Sequence, residues 1–98
     1  MLFAVRFFDM PDTLHIRTQY FPAHLAWIDE HQSSVLVAGG LRHEPDGNPA
    51  GALWIVEAHS KEEVEALFQT DPFWVNGLRK SVEIMHWSKA FPDRKTLV

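Results

Sequence analysis

The chain contains no cysteine. Disulfides, thiol nucleophiles and thiolate metal ligands are therefore excluded, and the composition fits a reducing interior. An excess of basic charge is also missing. Nine Lys and Arg stand against thirteen Asp and Glu, for a formal net charge of −4, and the basic residues are scattered rather than clustered. That leaves no electrostatic footprint for nucleic acid or for an anionic membrane surface. No apolar run approaches the ~20 residues needed to span a bilayer. The opening MLFAVRFFDMPD lacks the basic segment, apolar stretch and small-residue cleavage site of a secretory signal, so a cytoplasmic location is expected. Internal repeats and low-complexity segments are absent too. What is present is an ordinary globular composition, 46% hydrophobic and 22% charged over 98 residues, enough for one domain spanning 1–98.

LFAVRFF at 2–8 reads as a first strand, stopped by the turn cluster Asp9-Met10-Pro11-Asp12. From Thr13 to about Gln32, Leu14, Phe21, Leu25 and Ile28 recur at helical spacing and predict a helix with that stripe toward the core. Pro22 either kinks this helix or starts it afresh, because it has no N–H to return to Thr18. VLVAGGL at 35–41 and ALWIVEA at 52–58 flank the loop RHEPDGNPAG and read as a hairpin. SKEE at 60–63 is a capping box, in which Glu63 is expected to reach back to the Ser60 N–H, before a helix that buries Val64, Leu67 and Phe68. Asp71-Pro72 starts one or two further turns that end at Gly77, and SVEIMHW at 81–87 is the last strand. The tail to Val98 is expected to be partly extended.

This order predicts an α+β ferredoxin-like fold, βαββαβ, an antiparallel sheet with its helices on one face. Leu53 and Ile55 alternate with Trp54 and Val56, and Val82 and Ile84 with Met85 and Trp87, so both faces of the sheet are apolar. A second copy of the chain is the simplest cover for the face without helices, and a homodimer is expected.

His24, in YFPAHLAWIDEH, lies at the boundary of the helical stripe beside Tyr20, Trp27 and His31, with Arg17 joining them if Pro22 does not break the helix. A histidine so placed is either an edge residue or a general acid–base, since imidazole titrates close to neutrality. The six histidines, at 15, 24, 31, 43, 59 and 86, show no HxH, HxxxH or HExxH spacing, and no metal site is expected. Asp71 reads locally as a helix cap. The four tryptophans read as core or interface residues. AGGL at 38–41 does not open a helix and lacks a phosphate-cradle pattern; glycines within a strand instead allow close approach of a backbone or a ligand.

Taken together, R…PAHLAWI, VLVAGGL, Gly51, the SKEE cap, DPF…GL at 71–78 and VEIMHW resemble the YciI-like (YCII-related) proteins, in order and over nearly the whole chain. Gly40, where that family often has Pro, and Ser33-Ser34, where a Gly commonly precedes the strand, depart from the pattern. The resemblance implies a ferredoxin-like domain paired as a dimeric α+β barrel. It also implies an active site joining His24 to Asp71, with Arg17 as a third polar group and Gly39 and Phe73 against the substrate. An aspartate that orients the imidazole would leave its other nitrogen free for proton transfer without a nucleophile or a cofactor. Proton abstraction with elimination, isomerisation or hydration of a small molecule is the expected chemistry, of the kind that removes HCl from a chlorinated hydroxyquinol. A non-catalytic ligand-binding or interaction module is the alternative, and a cofactor-free oxygenase on the same architecture a third reading.

Overall fold

The computed structural model describes residues 1–96 and 98. Strand β1 (Leu2–Asp9) runs into helix α1 (Leu14–Glu30). Strands β2 (Val35–Leu41) and β3 (Gly51–Glu57) follow, then helices α2 (Lys61–Phe68) and α3 (Pro72–Val75) and strand β4 (Arg79–Trp87). The four strands form one antiparallel sheet in the order β2-β3-β1-β4, the ferredoxin-like topology expected from the sequence.

Strand alternation sets the two faces. Phe3, Val5 and Phe7 of β1 sit with Trp54 and Val56 of β3 beneath the helices and are essentially sealed from solvent. Phe7 is the hub, with ring centroids 4.6 Å from Trp54 and 5.3 Å from Phe68, arrangements that favour edge-on or tilted contact. On the other face Leu53, Met85 and Trp87 remain exposed, with Ala4 paired to Ile55 and Met85 between them.

Gly51 opens β3 because nothing else fits. A Cβ at that position would lie 2.1 Å from the Phe7 carbonyl oxygen, which belongs to backbone and cannot turn aside. Gly51→Ala is expected to destabilise the fold by about 3 kcal/mol, the upper part of the usual overpacking range, read as a lowered urea midpoint. A change below about 0.5 kcal/mol would show that the two strands separate freely there.

Several sequence expectations are corrected. Helix α1 is continuous through Pro22, which lies on its exposed side with Thr18, where water can take the freed carbonyl. Its buried residues are His24 and Trp27, whereas Leu14, Phe21 and Leu25 of the expected core stripe are 50%, 45% and 50% exposed. In the capping box Ser60 Oγ accepts from the Glu63 N–H as expected, but the Glu63 carboxylate accepts from the N–H of His59, one residue earlier than Ser60. Leu67 is half-buried beside Val64 and Phe68. Strand β4 starts at Arg79, two residues before the expected Ser81. Residues 88–96 form turns, bends and irregular backbone without a strand, and Leu97 lies outside the described residues.

Candidate functional site

The segment after α2 supplies one half of the site. Asp71 adopts an extended backbone at φ −62° and ψ 125°, and its Oδ1 accepts from the Phe73 N–H at 3.1 Å, capping α3 with Pro72 in the first turn. Gly77, at φ +79°, closes this short helix, and the Leu78 N–H donates back to the Phe73 carbonyl at 3.1 Å. Trp27 of α1 donates from Nε1 to Thr70 Oγ1 at 2.9 Å, which fixes α1 against the residue that precedes Asp71.

One turn earlier along α1, His24 Nδ1 lies 2.7 Å from the same Asp71 Oδ1. The aspartate is 0% exposed and the histidine 7%. Capping and histidine orientation are therefore simultaneous roles of one carboxylate oxygen, and the two sequence readings of Asp71 are not alternatives. Phe73 lies flat against the imidazole, with centroids 4.0 Å apart and planes at 13°. With an ionised Asp71 accepting, Nδ1 carries the hydrogen of neutral His24 and Nε2 keeps its lone pair. Nε2 has no protein hydrogen-bond partner and is not among the sealed polar atoms.

His24 forms part of the wall of a cleft of about 220 Å³ between α1 and the β2–β3 edge. Phe21, Leu25 and Ile28 of α1 face Ala38, Gly39 and Gly40 of β2 across it, with Trp54 and Ala52 of β3 at the base. Phe21 and Leu25 of the expected core stripe thus line a cleft and stay exposed, while Ile28 both borders the cleft and packs against the core. Larger concavities, of about 350 Å³ around Met10–Thr13 and about 480 Å³ beside Arg42 and His43, are lined mainly by loop and strand-end residues, with no buried histidine in either wall.

Arg17, expected as a third polar group of the site, lines the cleft. Its Nη2 donates to Asp9 Oδ2 at 2.6 Å. Gly39 also lines it, with open space where a Cβ would stand. Phe73, expected against the substrate, is fully buried and does not line the cleft; it lies behind residues that do, stacked on His24 and under the guanidinium of Arg17. Arg79 and Asp9 were not singled out by the sequence. Arg79 Nη1 donates to Asp9 Oδ1 at 2.7 Å, so one carboxylate holds two guanidinium groups. Burial pushes Arg79 below the ordinary arginine value, and the hydrogen bond it donates to Asp9 opposes that shift. A signal was available: Asp9 continues the inward positions Phe3, Val5 and Phe7, and a carboxylate in that series needs a cationic partner. Among the described residues, no three His, Asp or Glu side chains converge as a metal site, and no helix is long and apolar enough to cross a membrane.

A family model for the YCII-related domain matches residues 1–88. The chain belongs to that family. Among solved structures, 5-chloro-2-hydroxyhydroquinone dehydrochlorinase from Burkholderia phenoliruptrix, in complex with 2,5-dihydroxybenzoquinone, is similar with a TM-score of 0.80. It is 29% identical, over 90% of this chain and 94% of that one. A candidate antibiotic biosynthesis monooxygenase from Bacteriodes thetaiotaomicron shares the fold at a TM-score of 0.58 and 16% identity, over 98% of this chain and 94% of that one. A further antibiotic biosynthesis monooxygenase does so at 0.51 and 15%, over 91% and 100%. At those identities the likeness to the two monooxygenases concerns fold alone. No curated protein is significantly similar in sequence.

Proposed function

We propose that this YCII-related protein is a cofactor-independent small-molecule enzyme, lyase- or isomerase-like, in which His24 moves protons and Asp71 orients it. The observation that carries this reading is the 2.7 Å contact between Nδ1 and the buried carboxylate, which leaves Nε2 unpartnered at a cleft. Asp71 fixes the tautomer and stabilises the imidazolium formed when Nε2 takes a proton. The similarity to a dehydrochlorinase supports elimination as the reaction to test first.

For a chlorinated hydroxyquinol the steps balance without an external electron carrier. Nε2 takes one hydroxyl proton and returns it to the ring carbon that bears chlorine, giving a keto tautomer. Nε2 then takes a second hydroxyl proton; that oxygen forms a carbonyl, the ring double bond shifts, and the C–Cl electron pair leaves with chloride. The sum is loss of HCl and formation of a quinone. Incubation with 5-chloro-2-hydroxyhydroquinone and related ring alcohols, read as chloride release or a quinone spectrum, tests the reading. Saturable binding with every compound recovered unchanged would replace it with the ligand-binding module.

The proposed assembly is a homodimer, in which a second copy covers the helix-free face that carries Leu53, Ile55, Met85 and Trp87. Ile55→Lys places a charge at the middle of that face, between Ala4 and Val37. The variant is expected to sediment at half the wild-type mass with its circular dichroism retained. An unchanged mass would place any contact between copies elsewhere.

A further inference from the structure

Arg17 and Arg79 share a single carboxylate, and that imbalance lies at the end of the cleft. Asp9 spends one oxygen on each guanidinium, at 2.6 and 2.7 Å, so the trio carries one positive charge in excess. The other nearby carboxylate, Asp71, acts on Arg79 through space but forms an ion pair with neither arginine: its Oδ1 is engaged by His24 and the Phe73 N–H, and its Oδ2 is buried without a hydrogen-bond partner among the described residues. Arg79 is sealed behind, its Nε and Nη2 without a protein partner and its guanidinium over the rings of Phe7 and Phe73 at 4.7 and 5.3 Å. It cannot turn to water to disperse its charge. Arg17 is the accessible member, with Nη2 held by Asp9 and Nη1 left without a hydrogen bond.

Gly40 borders that nitrogen: a Cβ there would stand 3.9 Å from Arg17 Nη1, in ordinary van der Waals contact. Apart from Arg17, His24 and Arg79 the cleft is lined by apolar side chains and glycines, and its volume of about 220 Å³ is below the ~300 to 1,000 Å³ of sites for drug-sized ligands. An uncompensated guanidinium in poorly solvated surroundings attracts an anion far more strongly than the same group in water.

We propose that the cleft takes a flat, one-ring ligand whose ionised oxygen is seated on Arg17, with Arg79 as the positioning residue that keeps Asp9 from neutralising Arg17. This inference rests on the proton-transfer reading only for the outcome of binding, since it names the class of compound presented to His24. Phenolates, enolates and ring carboxylates share the required chemistry.

The test is calorimetric binding of 2,5-dihydroxybenzoquinone, which is ionised at neutral pH, against hydroquinone, a flat six-carbon ring that carries no charge, and against inorganic phosphate. Wild-type protein is expected to prefer the ionised ring by about 10- to 100-fold over hydroquinone, the range for hydrogen bonds to charged groups, and to bind phosphate more weakly than either. Arg17→Gln is expected to abolish the preference. Arg79→Gln, at a side chain that borders the cleft but is 1% exposed, is expected to reduce it by freeing Asp9 to neutralise Arg17, while hydroquinone binding is retained; a merely structural role would weaken both compounds alike. Equal affinities of the two rings for wild-type protein overturn the proposal, with no variant required. Phosphate bound as tightly as the ionised ring overturns the ring-bearing ligand. His24→Asn separates the two readings, because it is expected to keep the preference and lose turnover.

Discussion

Replacing His24 by asparagine is expected to lower turnover by about 100- to 10,000-fold, the span usually supplied by a positioned general acid–base. Asparagine is the informative choice. Its side-chain amide reaches the position of Nδ1 and can still donate to Asp71 Oδ1, so the buried carboxylate keeps a partner and the cap on Phe73 is undisturbed. Nothing then stands at Nε2. His24→Ala removes the same base but also strips a donor from an aspartate that is 0% exposed, so its loss of activity is mixed with a loss of stability. Asp71→Asn is expected to fall between wild type and His24→Asn, since the amide can still cap α3 but cannot stabilise an imidazolium as a carboxylate does. The measurement is the initial rate of chloride or quinone formation at saturating substrate, with thermal unfolding recorded alongside. A rate within threefold of wild type for folded His24→Asn would remove His24 from the mechanism.

The second large effect is on stability. Asp9→Ala is expected to destabilise the protein by about 3 to 5 kcal/mol, as found when one partner of a buried ion pair is deleted and the other is left uncompensated. Here two guanidinium groups lose their only carboxylate contact, and the Arg79 side chain is 1% exposed. Equilibrium denaturation in urea measures the effect. A loss under 1 kcal/mol would mean that Arg79 finds water or another acceptor on its own, and the charge imbalance argued above would disappear with it.

Much of this architecture was legible in the sequence because each element satisfied two independent rules. VLVAGGL and ALWIVEA alternate or run apolar and are bounded by turn residues, and Ser60 and Asp71 stand where caps belong. The orientation of α1 was not legible. Its apolar residues occupy more than one side, and a helical stripe shows only that a face avoids water, not whether it meets a core or a cleft; Phe21, Leu25 and Ile28 meet the cleft. The pairing of His24 with Asp71 came from the family resemblance, because local position read Asp71 as a helix cap and left His24 either an edge residue or an acid–base. Asp9 carried a signal in its inward position after Phe3, Val5 and Phe7, but its partner Arg79 carried none, lying seventy positions away across a register irregularity at Phe8 and Asp9 that no local pattern announces.

The central claim is that Asp71 holds His24 with Nε2 free for proton transfer, and the tautomer of His24 tests it without a substrate. Two-dimensional ¹H–¹⁵N spectroscopy of the imidazole, at a pH where the ring is neutral, is expected to show the hydrogen on Nδ1, with its signal shifted downfield by the short contact to the carboxylate. In Asp71→Ala, folded but without that acceptor, the hydrogen is expected to move toward Nε2, the site that free histidine prefers. A wild-type ring carrying its hydrogen on Nε2 would contradict the account, because the nitrogen at the cleft would then have no lone pair with which to take a proton.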